Sequence, residues 1–310
     1  MSYLTSDFAE AVQRRAAIPA SQSTFDSTAL YALGDEEIRS KLLPLILRNI
    51  EDFYTTFYDY TITANQAGYQ IPTRAVAASL RDVQVVQSSD AQARTPLERL
   101  APEDLYSSVG GNQNIMVRKC GFYLQGNQVI MYPTPTSTQN LLRLSYSCRP
   151  NRLVDSTECG EILSIDTVTN TIVLAAAAPS TFSTAQAMDF INAQPHFDWW
   201  AQDQTPTGIS TTTYTNDTLQ FASLPTGLAV GDFVCLTGES CIVQVPVELQ
   251  PLLIQYVVVR VLSAQTDTQA LKDAVSELAK LEENAMLLIA PRVVGKPKRA
   301  VNTRGITRFV

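Results

Sequence analysis

Pro246-Val247-Glu248-Leu249-Gln250-Pro251-Leu252-Leu253-Ile254-Gln255-Tyr256-Val257-Val258-Val259-Arg260-Val261-Leu262 carries apolar side chains on almost every face of the helix it would form. Pro246 suits a first turn, where a missing N–H goes unmissed. A helix without a polar face must be enclosed, either by its own chain or by a second subunit. Leu252, Leu253, Tyr256, Val257 and Val259 are therefore candidate subunit-packing residues. Just downstream, Thr266 and Gln269 have capping-box spacing. They open a last helix striped by Leu271, Ala274, Val275, Leu278, Leu281, Ala285 and Leu288. So short a turn between two helices predicts antiparallel packing.

The other end of the chain is also helical. Phe8 and Val12 mark an amphipathic turn or two between Thr5 and Ala16, closed by Pro19, and a second helix starts near Asp26. From Asp35 to Tyr58, Ile38, Leu42, Leu45, Ile46, Ile50, Phe53 and Phe57 recur at helical spacing, with Pro44 expected to kink or divide the run. Between them the signals change to strand. Thr61–Thr63 and Tyr69–Ile71 flank a turn at Ala67-Gly68, and Phe122–Leu124 and Val129–Tyr132 flank Gly126-Asn127. Leu141–Tyr146 alternates. Glu161–Ile165 and Thr171–Leu174 bracket Thr169-Asn170, followed by Thr218–Phe221, Asp232–Leu236 and Cys241–Gln244. Thr95–Val109 reads as a helical or loop excursion.

The predicted fold is α+β: a helical bundle built from both chain ends, residues 1–60 and 246–290. An antiparallel β-rich sandwich or small barrel, 61–245, is inserted between them and is divisible at 150/151. An extended arm, 291–310, follows. The chain has 310 residues, 45% of them apolar and 17% charged, with mean hydropathy near zero. That composition suits a packed core in two units and excludes wholesale disorder. No stretch is read as the roughly 20 apolar residues of a bilayer span, so no membrane partner is expected. Met1–Asp7 has neither the basic nor the apolar region of a leader, which points to synthesis in a reducing cytoplasm.

Chemistry-bearing motifs are sparse. The five cysteines, Cys120, Cys148, Cys159, Cys235 and Cys241, form no CxxC pair, and there is one histidine. They read as free buried thiols and no metal site is expected, although Cys235 and Cys241 fall close enough on a predicted hairpin for a bridge to be conceivable. His196 lies among Asp189, Asp198, Trp199, Trp200 and Asp203, a composition that would suit a sugar cleft with paired carboxylates. An aromatic-rich packing loop explains it better. Gly231-Asp232 and Gly238-Glu239-Ser240 lack the lysine and helix of a phosphate loop and read as turns. The expectation is a non-enzymatic protein without cofactors.

Charge is unevenly divided. Of the net −7, residues 291–310 contribute +6 through Arg292, Lys296, Lys298, Arg299, Arg304 and Arg308, and the body carries −13. An acidic body argues against general nucleic-acid binding. The basic arm, broken by Pro291, Gly295 and Pro297, reads as an extended segment that docks on an acidic partner surface.

Several stretches carry a family likeness. Phe25-Asp26, Gly34-Asp35-Glu36-Glu37-Ile38, Leu43-Pro44-Leu45-Ile46, Glu51-Asp52-Phe53-Tyr54, Tyr69–Ala75 and Ile289–Lys298 resemble segments of phage head-to-tail adaptor (neck, connector) proteins of short-tailed phages. The resemblance implies a virion protein at the head–tail junction, assembled in the host cytoplasm. It further implies a ring of usually twelve copies beneath the portal protein, with DNA passing through its channel and nozzle or fibre proteins attached below. Arg292–Arg308 would then dock on the portal, and Trp199 and Trp200 would be anchors for a tail partner. The alternative is a receptor- or carbohydrate-binding tail component built around His196–Trp200.

Overall fold

The computed structural model describes residues 4–19, 24–101, 120–138, 140–193, 199–210, 217–265 and 268–289. The N-terminal helices are α1 (Thr5–Arg15), α2 (Ser27–Glu37) and α3 (Leu43–Asn49), and the C-terminal pair is α4 (Gln250–Gln265) and α5 (Thr268–Leu288). Asp26 caps α2, its Oδ1 accepting from the Ala29 N–H at 2.8 Å. A π-helical turn, Ile38–Leu42, joins α2 to α3 and puts Pro44 in the first turn of α3. The wider turn accommodates a ring and a missing N–H that a regular helix would not.

The apolar helix α4 is enclosed by its own chain. Leu252, Leu253, Tyr256 and Val257 are buried in a core shared with Phe8 and Val12 of α1, Leu30 of α2 and Ile46 of α3, and Val259 packs against that core. Of the two enclosures open to such a helix, its own chain supplies the one seen for Leu252, Leu253, Tyr256 and Val257, while Val259 stays partly exposed. By length and composition Val247–Gln265 would suffice to cross a membrane, contrary to the sequence reading, but most of it is buried as a core helix. Gln255, Tyr256 and Arg260 of this helix are taken up by neighbouring elements. Gln255, buried, donates to the Ala274 carbonyl at 3.0 Å and accepts from Arg15 at 3.2 Å, while the Tyr256 hydroxyl donates to Glu282 at 2.7 Å. Arg260 and Lys41 both pair with buried Glu37, at 2.6 and 2.7 Å. These contacts lock α1, α2 and α5 around α4, with α5 running back along it.

The first β unit comprises β1 (Thr55–Thr61), β2 (Gly68–Gln70), β3 (Ala75–Gln87), β4 (Asp90–Pro96), β5 (Glu98–Arg99), β6 (Gly121–Gln125), β7 (Gln128–Tyr132) and β8 (Asn140–Cys148). Two four-stranded sheets, ordered β1-β8-β3-β4 and β2-β7-β6-β5, share a core of Ile62, Tyr69, Val83, Val129, Leu142 and Leu144. Three sequence expectations change here. Helix ends at Asn49 and Phe57 lies in strand β1, because Thr55-Thr56-Phe57-Tyr58 is β-branched and aromatic and pairs along β8. β1 and β2 form no hairpin but belong to different sheets. β4 occupies the start of the predicted excursion at Thr95. The β6–β7 hairpin is as expected, with Gly126 at φ +58°.

The linker strand β9 (Arg152–Leu153) leads to the second unit: β10 (Gly160–Asp166), β11 (Thr171–Leu174), β12 (Met188–Ile191), β13 (Trp199–Gln204), β14 (Gly208–Ser210), β15 (Thr218–Gln220), β16 (Phe233–Leu236) and β17 (Glu239–Ser240). Seven of these form one sheet, ordered β13-β12-β16-β10-β11-β15-β14, and β17 pairs with β9. Strand alternation sends Val234 into one core with Ile172 and Phe190, and Phe233 and Cys235 into another on the opposite side. The Cys241–Gln244 segment is not a strand, and only Ile242 bridges, to Leu4.

One buried carboxylate ties the helices to the linker. Asp35 Oδ1 accepts from the Leu153 N–H at 3.0 Å, and burial pushes its pKa up to about 6. The native state therefore holds a proton that the unfolded chain releases near 4, so stability declines as pH rises from 4 to 6. Asp35→Asn keeps the acceptor and removes that slope. Its melting temperature is expected to match the wild type near pH 4 and exceed it above pH 6, by the equivalent of roughly 3 kcal/mol. At the centre of the helical core, Leu253→Ala is expected to cost about 2–5 kcal/mol in urea unfolding.

Candidate interaction surfaces

A polar junction fixes the two β units and the helical part to one another. Asp189 of β12 is fully buried; its Oδ2 accepts from Arg74 Nη2 at 2.6 Å, Asn151 Nδ2 at 3.0 Å and the Gly238 N–H at 3.1 Å. Its Oδ1 accepts from the Asp203 N–H at 3.0 Å. Gly238 sits at φ +82°, a conformation that aims its N–H at the carboxylate. The Asn151 N–H donates to Gln244 Oε1 at 2.8 Å, and the buried Tyr54 hydroxyl donates to the Gln244 carbonyl at 2.7 Å. Beside Arg74, burial pushes the Cys148 thiol up to about 12, leaving it inert.

This arrangement revises the carboxylate reading of the His196 region. Asp189 and Asp203 are brought together, but around Arg74, and the Asp189 oxygens are taken up by protein donors. His196 and Asp198 lie outside the described residues. Trp199 and Trp200 open β13, at one edge of the seven-stranded sheet, and their side chains are outside the described set. So is the whole basic arm from Arg292 through Lys296, Lys298, Arg299 and Arg304 to Arg308.

Exposed apolar groups lie on α5, on β1 and at loop tips of the second unit, with Leu124, Leu163 and Val247 exposed singly elsewhere. On α5 they are Val275, Met286, Leu287 and Leu288, the last three closing the helix, with Leu287 77% exposed. On β1, Phe57 and Tyr58 are exposed, and Arg143 lies 3.8 Å over the Phe57 ring while pairing bidentately with Asp59. β1 pairs only with β8, so its outer edge carries no strand among the described residues. At the loop tips of the second unit are Val168 and Val230. Contiguous exposed apolar groups on a helix end and a sheet edge are features of contact surfaces.

The family model for SU10 adaptor protein matches residues 4–196. The chain belongs to the SU10 adaptor protein family. The matched span runs from α1 through the first β unit to just past β12 and contains all the quoted adaptor-like segments except Ile289–Lys298. Membership agrees with the resemblance to phage head-to-tail adaptors, and it makes this SU10 adaptor family member a structural phage protein of the virion. Comparison with curated proteins returns no match.

Sequence reasoning overlooked the β1 edge because Phe57 falls in phase with the helical stripe before it. The run Thr55-Thr56-Phe57-Tyr58-Asp59-Tyr60-Thr61, rich in β-formers, was the available signal. The Arg74–Asp189 pair, 115 residues apart, leaves no local signal at all.

Removing one partner of so buried a pair strands the other charge. Arg74→Met is expected to destabilise by about 3–5 kcal/mol in urea unfolding. In a double-mutant cycle, Arg74→Met with Asp189→Leu is expected to cost clearly less than the two single changes summed.

Proposed function

We propose that this SU10 adaptor family member is a non-enzymatic ring subunit seated beneath the portal protein, joining the capsid to the tail and lining part of the channel through which DNA leaves. Twelve copies are what the resemblance implies. The observation that carries the reading is the family match across the helices and first β unit, combined with a protomer that exposes apolar groups on α5 and on the β1 edge. A ring closes through two different faces of each subunit, and these patches supply two. The helical bundle made from both chain ends would form the rigid body of each subunit.

Charge supports a division of labour. An acidic body of −13 repels a passing phosphate backbone, so DNA slides without being held. The +6 arm follows directly after α5, where it would reach an acidic surface of the portal through Arg292, Lys296, Lys298, Arg299, Arg304 and Arg308. The second β unit, with Trp199 and Trp200 on its edge strand, would meet the nozzle or fibre protein on the tail side, tryptophan being a frequent interface anchor.

Two changes separate these roles. Deleting residues 291–310 is expected to leave the folded subunit intact by circular dichroism and to abolish co-sedimentation with portal rings; undiminished co-sedimentation would overturn the arm's assignment. Replacing Met286, Leu287 and Leu288 with glutamate is expected to keep the melting temperature within a few degrees and to eliminate rings in negative-stain images of portal-bound samples. Rings surviving that change would remove α5 from the subunit contact.

A further inference from the structure

Three cysteines far apart in sequence meet in one enclosed place. Cys159 precedes β10, Cys235 lies in β16 and Cys241 follows β17, and their Sγ atoms all lie within 4.8 Å of one another. The convergence is built by the fold. β10 and β16 pair antiparallel with Gly160 opposite Val234, which sets Cys159 opposite Cys235 at the next position. Cys241 is brought over them by the return from β17, and its carbonyl accepts from the Thr5 N–H at 2.8 Å. All three side chains are buried, among Val154, Ile191, Phe233 and Ile242 with Leu4 packed on top.

Three thiols crowded together without a disulfide are unusual filling for an apolar core. Sulfurs bound at about 2.3 Å to one metal ion lie roughly 4 Å apart, within reach of the observed separation. Soft thiolate donors select soft d10 ions such as Cu⁺ and Zn²⁺ over Mg²⁺ or Ca²⁺. We propose that Cys159, Cys235 and Cys241 bind a single thiophilic d10 metal ion. Such an ion would staple the start of α1, the β9–β17 linker and the seven-stranded sheet at one point, so its loading is coupled to folding. Among the described residues no other histidine, cysteine or carboxylate joins the group, and its surroundings are apolar. Three-coordinate Cu⁺ therefore matches the donor set directly, whereas Zn²⁺ requires one further donor.

The test uses the full chain refolded anaerobically under reductant with Cu⁺ or with Zn²⁺, and metal content is read after competition with a chromophoric chelator. One equivalent of either ion per chain is expected, together with a thiolate-to-metal charge-transfer band for Cu⁺ and a higher melting temperature for the loaded protein. Each of Cys159→Ser, Cys235→Ser and Cys241→Ser is expected to lose the bound ion, and Cys120→Ser to retain it. X-ray absorption on the loaded wild type, which needs no variant to fold, is expected to count three sulfur neighbours. Substoichiometric binding of both ions, retention of the ion in any of the three serine variants, fewer than three sulfur neighbours, or a disulfide within the triad under these conditions would each overturn the site.

Discussion

The rest of the structure depends on the burial of α4. A helix with apolar groups on all sides has no face to turn to water, and at ~25 cal/mol per Å² of apolar surface its exposure is not sustainable. Among the described residues it is covered mainly by α1, α2 and α3 from the opposite end of the chain and by α5 from its own end. The long β-rich segment must therefore leave the helical core and return to it. Its entry at Thr55 and its exit at Pro246 are held together by Tyr54, whose hydroxyl binds the Gln244 carbonyl.

The same demand explains where the polar anchors lie. Asp35 on Leu153, Asn151 on Gln244 and Asp189, and Arg74 on Asp189 are all at places where the chain passes between units. Each is a buried hydrogen-bonding group that would be costly to leave unmatched, so each specifies one relative placement of the parts it joins. An adaptor that transmits contacts from head to tail benefits from such fixity, since a loose hinge between units would uncouple its two ends. Its exposed apolar groups on the end of α5 and the edge of β1, by contrast, sit outside this network.

Legibility in the sequence tracked the range of the interactions. The hairpins around Gly126-Asn127 and Thr169-Asn170 and the start of α2 at Asp26 depend on residues within a few positions, and they could be read. The β1 strand could not, because Phe57 continues the three- and four-residue spacing of Ile46, Ile50 and Phe53, and periodicity alone does not report where a helix stops. β3 was hidden by its bulge, where Ala77 and Ala78 take positive φ and interrupt the alternation. The candidate contact surface was legible only in part: the stripe of α5 was visible, but which of its members stay exposed depends on how α4 lies against it.

Sequence by itself determined that this is an α+β adaptor-like chain with helical ends, a strand-rich middle and a charge polarity between an acidic body and a basic arm, because composition, periodicity and local motifs are properties of neighbouring residues. Tertiary structure alone decided that α4 is enclosed within its own protomer, that Asp189 and Asp203 surround Arg74 instead of lining a cleft, and that Cys159, Cys235 and Cys241 share one buried site. Those outcomes depend on strand order and on the return of the chain across tens to hundreds of residues, and no local pattern encodes which distant side chains will meet.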